Sequence, residues 1–191
     1  MQIVKQEPRL LGHSGGWNIR TMDDVTDNYE DLTECALSAE LEHQLVYTQR
    51  NCVFMWTNKQ GEAFGVVQSY LPKDGKLWMT CAETRARVPA LRRFPRASVC
   101  INGAETPLGS GRTVTYKGSC VIRTDQETKD WFYPEFCRYL RGDNDTAKAF
   151  QEFLDSPHRV ILEFTPDYTL SFDSALMWAR SPEAEGQGKP K

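Results

Sequence analysis

Three short β-prone segments joined by tight turns constrain the fold more than any other feature of this sequence. The first covers residues 52–57 and the second residues 62–71, and the turn between them ends at Gly61. Asp74 and Gly75 form another turn, which leads into the third segment. Glycine supplies the positive φ that such turns need, and strands with connections this short pair antiparallel. The pattern therefore predicts a small closed barrel rather than a parallel sheet.

Helical periodicity and further β-prone runs account for most of the remaining chain. Leucines at helical spacing predict a helix over residues 33–48, for which Thr33 and Ser38 are alternative N-caps. Asp125 is a suitable N-cap for a helix that ends near residue 140. Pro134 must kink or divide this helix, and residues 146–154 are predicted to form another. The other predicted strands are residues 77–81, 97–101, 112–123 with a bulge at Gly118, 158–165, and a last strand or arm at 170–178.

Arginine is concentrated directly after the third β-prone segment. This stretch holds five arginines and one acid in a chain of net charge −3, and the arginines are Arg85, Arg87, Arg92, Arg93 and Arg96. Pro89 is tolerated only in the first turn of a helix, which places the helix start near residues 86–88. Unpaired backbone N–H groups at a helix start and arginine side chains both favour a phosphate. A solvent-exposed basic helix face explains the same charges equally well.

The order of these residues resembles the phosphate-binding segment of the pyridoxamine 5'-phosphate oxidase-like proteins, the FMN-binding split-barrel superfamily. The shared features are a strand ending in a hydroxyl side chain, a basic pair, a helical leucine, and a proline and arginine before the next strand, here Thr80, Arg85, Arg87, Leu91, Pro95 and Arg96. The chain departs from the family at Arg87, where many relatives carry lysine, and at Ala90, where asparagine is common. The resemblance covers residues 41–124 and, more loosely, the last strands.

The resemblance implies an α+β fold that is mainly β. Its centre is a split β-barrel of about six to seven antiparallel strands in Greek-key order, with flanking helices. The barrel domain would occupy residues 34–180. Residues 1–33 would form an N-terminal extension, and residues 181–191, rich in Glu, Gly, Pro and Lys, a flexible C-terminal tail.

The resemblance also implies a homodimer that holds FMN in a groove at the subunit interface. In the family, the second strand contacts the flavin ring and ribityl chain, the third strand end and basic pair bind the phosphate, and the start of the long fifth strand reaches the ring. A C-terminal tryptophan is expected to close the groove from the partner subunit. The implied cofactor-binding residues are Val66, Val67, Gln68, Ser69, Thr80, Cys81, Arg85, Arg87, Arg112, Thr113 and Trp178. No metal ligand is implied.

Several of these residues also have a purely structural interpretation. Gln68 and Ser69 could face water in a strand, and Thr113 could be an ordinary β-former. Cys81 lies beside the basic turn, but a role as a small packing residue is favoured over a chemical one.

The function that the resemblance implies is an FMN-dependent oxidoreductase with a small-molecule substrate. Because the cofactor carries out the redox chemistry, no fixed catalytic side chain is needed, and the sequence does not identify the substrate. One alternative is a deazaflavin-dependent reductase of the same fold, whose longer acidic tail would use Arg92, Arg93 or Lys73. Another is a non-catalytic flavin- or haem-binding protein, or an interaction protein whose surface is the acidic segment 23–42, with eight acids and no Lys or Arg.

Composition disfavours other classes of function. Six cysteines without a Cys-x-x-Cys pair and three histidines predict neither a disulfide framework nor a metal site. The net charge of −3 argues against nucleic-acid binding. No apolar run approaches the ~20 residues of a membrane span, and the first residues lack the pattern of a signal peptide. We therefore expect a cytoplasmic protein that does not associate with membranes.

Overall fold

A seven-stranded, wholly antiparallel sheet forms the centre of the structure, a computed structural model that describes residues 32–180. Every strand pair in it is antiparallel. The strands are β1 (Asn51–Thr57), β2 (Ala63–Ser69), β3 (Leu71–Lys73), β4 (Lys76–Ala82), β5 (Arg96–Gly103), β6 (Gly109–Arg123) and β7 (Arg159–Asp173).

Consecutive strands β2 and β3 lie at opposite edges of this sheet, whose order is β2-β1-β5-β6-β7-β4-β3. Only Tyr70 separates them in the chain, so one segment pairs with β1 at one edge and with β4 at the other. The sheet therefore curls into a barrel whose two edges are joined at this corner, which confirms the predicted α+β split barrel. The strand predicted over residues 62–71 is divided because the segment changes its pairing partner at Tyr70.

The corner at Tyr70 is fixed from inside the barrel. Its side chain is fully buried, and its hydroxyl donates a hydrogen bond to the Val46 carbonyl oxygen at 2.7 Å. Its backbone N–H donates to the carbonyl oxygen of Arg50 at 3.2 Å. Burial raises the pKa of the hydroxyl, so it remains a donor. Tyr70 thus ties the barrel corner to the helix that precedes β1.

Five α-helices accompany the barrel within residues 32–180. They are α1 (Ala39–Thr48), α2 (Arg87–Arg93), α3 (Gln126–Arg141), α4 (Asp145–Leu154) and α5 (Ser174–Ala179), and a 3-10 turn at Leu32–Cys35 precedes them. Asp125 caps α3 as predicted, since its Oδ1 accepts the N–H of Thr128 at 2.9 Å. The α1 helix starts at Ala39 rather than at residue 33, because Ser38 caps it through the N–H of Leu41.

Pro134 lies inside α3, which continues undivided from Gln126 to Arg141. A proline at this position removes one backbone hydrogen bond. Its neighbours Tyr133 and Phe136 are buried in an aromatic cluster. Packing of this helix face therefore holds the two halves together, and of the two outcomes expected at Pro134, a kink or a division, the division does not occur.

The last predicted strands are a single strand, β7, followed by a helix. A register shift between Lys117 and Gly118 confirms the predicted bulge in β6 and places Gly118 opposite Pro166. A Cβ atom at Gly118 would lie 2.1 Å from the Thr165 carbonyl oxygen, so no other residue fits there. The bulge accommodates the proline, which cannot donate to the ladder. Residues 174–178 are helical rather than extended because Asp173 caps α5.

Apolar side chains pack against both faces of the sheet. Fully buried residues such as Phe54, Val99 and Leu162 fill the barrel interior. On the outside, α3 and α4 cover β3, β4 and β7 with a second cluster, in which the Trp78 and Trp131 rings meet edge to face at 4.8 Å. The helices outside the resemblance are therefore an integral layer of the structure.

Cysteine packing and helix composition bear on two of the expectations from the sequence. All six cysteines lie within the described range and are free thiols. Five are buried and Cys100 is half-buried, as small core residues are.

None of the helices in residues 32–180 combines the length and apolar character that crossing a membrane requires.

Glu163 of β7 joins three strands through a buried ion-pair cluster. Its side chain is on the outer face of the sheet but only 4 % of the residue is exposed. One carboxylate oxygen accepts from Lys76 of β4, and the other accepts from Nε of Arg123 of β6 at 2.5 Å. Burial alone would raise the pKa of Glu163, but the hydrogen bonds from these two cations lower it below its usual value.

We predict that Glu163 makes the free energy of unfolding pH-dependent in the acid range. Its pKa is near 4.5 when unfolded and lower when folded, so its contribution is complete above that value and is lost as the pH falls through the folded pKa. Urea unfolding at a series of pH values should show a shallower acid loss for Glu163→Gln, with lower stability at pH 7. The exposed pair of Arg96 and Asp167 provides the control, because Asp167→Asn should change the curve less. Identical pH slopes for wild type and Glu163→Gln would contradict the prediction.

Candidate functional site

The turn after β4 is held against the first residue of β7. Ala82, the last residue of β4, pairs with Arg159. The backbone N–H of Glu83 donates to the His158 carbonyl oxygen at 2.8 Å, and that of Arg85 donates to the Ala82 carbonyl oxygen at 3.0 Å. The helix α2 then starts at Arg87, within the range predicted from Pro89. Two distant parts of the chain therefore form one rigid turn.

Three arginines at this turn act by their charges on the pKa of the Cys81 thiol, and together they are called the arginine cradle: Arg85, Arg87 and Arg159. Burial raises the pKa of the Cys81 thiol, while the Arg87 guanidinium, which faces it, and the charges of Arg159 and Arg85 oppose that increase. The thiol therefore stays protonated at neutral pH and is not a thiolate nucleophile. Its buried position agrees with the packing interpretation.

Two nitrogen atoms of the cradle are buried without a hydrogen-bond partner among residues 32–180. They are Nε of Arg87 and Nε of Arg159. A buried donor without an acceptor costs about 1–3 kcal/mol, and more when it is charged. Neither guanidinium forms an ion pair with a carboxylate of the described chain, so each carries a positive charge that residues 32–180 do not neutralise.

The other arginines of the basic stretch are engaged on the surface. Arg92 pairs with Glu83 at 2.6 Å, and Arg96 is bidentate to Asp167, with 2.9 Å from Nη2 to Oδ1. The stretch thus contains exposed ion pairs, as in the solvated-face interpretation, and Arg87, whose Nε is buried without a partner among the described residues.

Arg159 is the residue of this cluster that the sequence did not single out. Its only sequence signal is a basic residue at the start of an apolar β-prone run. Its role depends on the pairing of β7 with β4. Local sequence patterns do not predict pairing between strands so far apart in the chain.

The predicted residues at the end of β4 and on β2 occupy both faces of the barrel wall. Met79 and Cys81 point into the barrel, so Thr80 faces outward, and its hydroxyl donates to the Val160 carbonyl oxygen at 2.9 Å. On β2, Val66 packs against the interior core. The Gln68 amide also points inward, with Nε2 at 2.8 Å from Met79 Sδ and Oε1 buried without a donor.

The alternate residues of β2 face outward. Val67 is 73 % exposed, and the Ser69 hydroxyl donates to Asn51 Oδ1 at 2.9 Å. Only Val67 and Ser69 of the predicted β2 residues could therefore offer their side chains to a ligand outside the barrel. Val66 and Gln68 could do so only through the backbone.

The predicted residues at the start of β6 lie far from the arginine cradle. Arg123, near the cradle end, pairs with Ile161, whereas Thr113 pairs with Phe172. Ten residues of strand separate Thr113 from Arg123, which is roughly 30 Å at about 3.3 Å per residue. One subunit therefore does not bring Thr113 and the cradle together.

Arg112 and Trp178 also lie at this far end. Nε of Arg112 donates to Asp173 Oδ2 at 2.9 Å and Nη1 donates to the Leu108 carbonyl oxygen at 2.8 Å, so its guanidinium is used within the subunit. Trp178 projects from α5 with half of its surface exposed.

A row of mostly apolar side chains crosses the outer face of five strands and is called the outer row. Cross-strand pairing aligns its members, and paired residues share one face of a sheet. They are Val67, Val53, Cys100, Thr115 and Leu170. Leu170, at the end opposite Val67, is 61 % exposed. The outer row is therefore an apolar surface that the described chain leaves uncovered.

A groove of about 380 Å³ lies between α1 and the β3–β4 turn, with Glu42, His43, Lys76 and Tyr116 on its walls. The Tyr116 hydroxyl donates to Glu42 Oε1 at 2.6 Å, and burial together with this carboxylate raises the pKa of Tyr116. Lys76 is bound to Glu163. Glu42, Tyr116 and Lys76 are thus engaged with one another or with Glu163, which distinguishes this groove from the cradle.

Metal-ligating side chains do not cluster in the part of the chain that the structure describes. No group of three or more His, Cys, Asp and Glu residues there could hold a metal ion. The features that stand out in residues 32–180 are instead the arginine cradle and the outer row, which lie at different places on the barrel.

Comparison with known proteins identifies similarity through structure rather than sequence. No protein-family model matches the chain, and no curated protein matches it. A conserved hypothetical protein from Mycobacterium tuberculosis is 18% identical with a TM-score of 0.65, over 83% of this chain and 94% of that one. An F420 reductase is 15% identical with a TM-score of 0.52, over 67% and 94%. A Listeria innocua protein assigned as a pyridoxamine 5'-phosphate oxidase is 14% identical with a TM-score of 0.53, over 69% and 95%.

At sequence identities this low, structural similarity shows a shared fold and not a shared function. The alignments nonetheless span nearly the whole of each neighbour, so the similarity concerns a complete domain and not one hairpin. The chain therefore shares the split-barrel fold of these proteins, which is the fold that its sequence predicted.

Proposed function

We propose that this chain binds a phosphate-bearing flavin cofactor, with FMN as the first candidate, and uses it as an oxidoreductase on a small molecule. The observation that carries the proposal is the pair of buried, unpartnered nitrogens, Nε of Arg87 and Nε of Arg159. Phosphate oxygens would accept from both, and arginine forms its strongest hydrogen bonds with such anions. The names of two fold neighbours, an F420 reductase and a pyridoxamine 5'-phosphate oxidase, support the same class of chemistry.

The cradle residues would bind and orient the cofactor. A bound flavin ring accepts or donates a hydride or single electrons. Arg85, Arg87 and Arg159 would neutralise the phosphate charge, and the hydrogen bond from Glu83 to His158 keeps the turn in place. Because the Cys81 thiol stays protonated, it lines the cradle without adding negative charge.

The proposed site is completed by a second copy of the chain. The cradle and the far end of β6 are farther apart in one subunit than one FMN reaches, as the length of β6 indicates. A two-fold axis could bring Thr113 and Trp178 of one subunit towards the cradle of the other. The exposed outer row, with Val67 and Leu170 at its ends, is the surface we propose for this contact.

A deazaflavin is the second candidate cofactor, because F420 is a deazaflavin and one fold neighbour is an F420 reductase. Its acidic tail would need cations near the cradle. Arg92 is already paired with Glu83, and Lys73 is paired with Glu135 at 2.7 Å. Arg93 makes only a 3.3 Å contact with the Thr57 carbonyl oxygen. Of the three cations considered for a tail, Arg93 alone has no carboxylate partner in residues 32–180.

The absorbance spectrum of the purified protein tests the cofactor directly. We expect the bands of oxidised flavin, and mass spectrometry of the material released on denaturation should identify FMN. A deazaflavin mass would favour the second candidate, and a haem spectrum would favour a haem-binding protein. A colourless protein that takes up none of these when they are added would contradict the proposal.

Replacing Arg87 or Arg159 with alanine should weaken FMN binding by roughly ten- to a hundredfold. This range follows from the ~1.5–3 kcal/mol of a hydrogen bond to a charged group. Fluorescence titration of FMN into the cofactor-free proteins measures the effect. The variants should melt close to wild type without cofactor, because neither removed guanidinium forms an ion pair within residues 32–180, although Arg87 loses its contact with the Cys81 thiol.

Arg92→Ala is the matched control for these variants. Arg92 lies in the same helix, but it is exposed and paired with Glu83, so FMN affinity should stay within about twofold. Equal loss of affinity in Arg92→Ala and Arg87→Ala would indicate a general effect of charge and would contradict a specific cradle.

Val67→Glu and Leu170→Glu should convert a homodimer into monomers. Both side chains are largely exposed in one subunit, so a charge there costs little until a second subunit buries it. Light scattering after size-exclusion chromatography measures the mass, and FMN affinity should fall together with dimerisation. Phe153→Glu, at an equally exposed position on α4, should leave the dimer intact. A monomeric wild type, or a dimer unaffected by both changes, would rule out this interface.

A further inference from the structure

A second groove, of about 390 Å³, lies between the β1–β2 hairpin and α2 and is called the hairpin groove. Two aromatic residues of the hairpin, Trp56 and Phe64, line it. Their rings are stacked, with 6.0 Å between centroids and 21° between planes. Trp56 is buried, whereas Phe64 is 48 % exposed. The pair therefore presents aromatic surface to the groove, supported from behind by a buried ring.

Two cations and no acid line the hairpin groove. Lys59 lies in the hairpin turn and Arg93 at the end of α2. Neither forms an ion pair within residues 32–180, and Arg93 has only its 3.3 Å contact with the Thr57 carbonyl oxygen. Glu62 is held by Asn58 Nδ2 at 2.6 Å and does not line the groove. The groove is thus both aromatic and positively charged.

The hairpin groove adjoins the arginine cradle through the first turn of α2. Ala86 lines the groove and stands between Arg85 and Arg87 in the chain, about 3.8 Å from each between Cα atoms. Pro89, one turn further along, lines the groove as well. A ligand whose phosphate lies in the cradle would therefore have the groove beside it.

The groove wall is also preorganised. Asn58 Oδ1 accepts the backbone N–H groups of Gln60 at 2.9 Å and of Glu62 at 3.0 Å, which closes the hairpin turn on itself. The turn that carries Lys59 therefore needs no ligand to become ordered, so little conformational entropy is lost on binding.

We propose that the hairpin groove binds a nucleotide base, that is, a planar heteroaromatic ring joined to a phosphate group. The inference rests on the proposed function, because the cradle supplies the neighbouring phosphate site. A base of any kind can stack on an exposed ring, and Lys59 and Arg93 complement the phosphate charge. The groove volume falls in the range of small-molecule sites. The base could belong to the adenylate half of FAD or to a separate nucleotide that binds beside FMN.

Calorimetric titration of the full chain with ADP, FMN and FAD tests this inference. We expect ADP to bind, and Phe64→Ala to weaken ADP binding about tenfold, as loss of one base–aromatic stack predicts. FMN affinity should remain within about twofold. If the base is part of FAD, FAD will bind more tightly than FMN and will exclude ADP. If it belongs to a separate nucleotide, whose phosphates would then contact Lys59 and Arg93 rather than the cradle, the FMN-loaded protein will still bind ADP.

Two further variants separate stacking from charge and from general damage. Lys59→Gln should also weaken ADP binding without altering the aromatic pair, and it decides the question if Phe64→Ala does not fold. Phe153→Ala, at an exposed site on α4, should leave ADP affinity unchanged.

Absence of ADP binding to wild type would overturn the inference, as would equal losses of FMN and ADP affinity in Phe64→Ala. Binding of a glutamate oligopeptide in place of ADP would assign the groove to an acidic tail instead and would also overturn it. FMN binding without ADP binding would leave the proposed function standing, whereas a protein that binds ADP but no flavin would refute that function and not the groove.

Discussion

The change of pairing partner at Tyr70 is the constraint on which the rest of the structure depends. One segment pairs with β1 before this residue and with β4 after it, so the same piece of chain forms both edges of the sheet. The buried hydroxyl of Tyr70 then fixes α1 through the Val46 carbonyl oxygen. Once the barrel is closed in this way, β4 lies beside β7, and Ala82 lies opposite Arg159. The geometry of the arginine cradle is therefore a consequence of barrel closure.

The line along which β4 and β7 pair is called the β4–β7 seam, and it contains two charge clusters. In one the positive and negative charges balance, and in the other positive charge is in excess. On its outer face, the buried carboxylate of Glu163 is shared by Lys76 and Arg123, so burial of its charge is offset by direct hydrogen bonds. At its end, Arg87 and Arg159 have no carboxylate among the described residues. The first arrangement stabilises the fold by itself. The second leaves an unbalanced positive charge at one point, which is what an anion-binding site requires.

The sequence predicted the parts of the structure that depend on local pattern. The hairpins, the cap at Asp125, the helix start near Arg87 and the bulge at Gly118 all follow from turn, capping and proline chemistry over a few residues. Features that depend on tertiary context were not predictable in this way. The strand break at Tyr70 results from pairing with distant strands, and packing keeps α3 undivided at Pro134.

The same distinction holds for the candidate site. Arg85 and Arg87 stand out in a local run, and the resemblance to a known family drew attention to them. Arg159 comes from the other strand of a pair, and a single basic residue at the start of an apolar run carries no local signal of a site. Likewise, alternation along β2 places Gln68 on the same face as Val66. Only the packing of β1 and β4 shows that this face is the inner one.

The position of the cradle on the β4–β7 seam also has a consequence for folding kinetics. Thr80 and Val160, which meet across this seam, are 80 residues apart in sequence, whereas β1–β2 and β3–β4 are local hairpins. Contacts of such long range carry a large loop-closure cost and tend to form late. A ligand that needs both Arg87 and Arg159 would then recognise the chain only after the last seam has formed. Such a ligand would slow unfolding strongly and leave the folding rate almost unchanged. Bound cofactor would therefore increase the kinetic stability of the barrel.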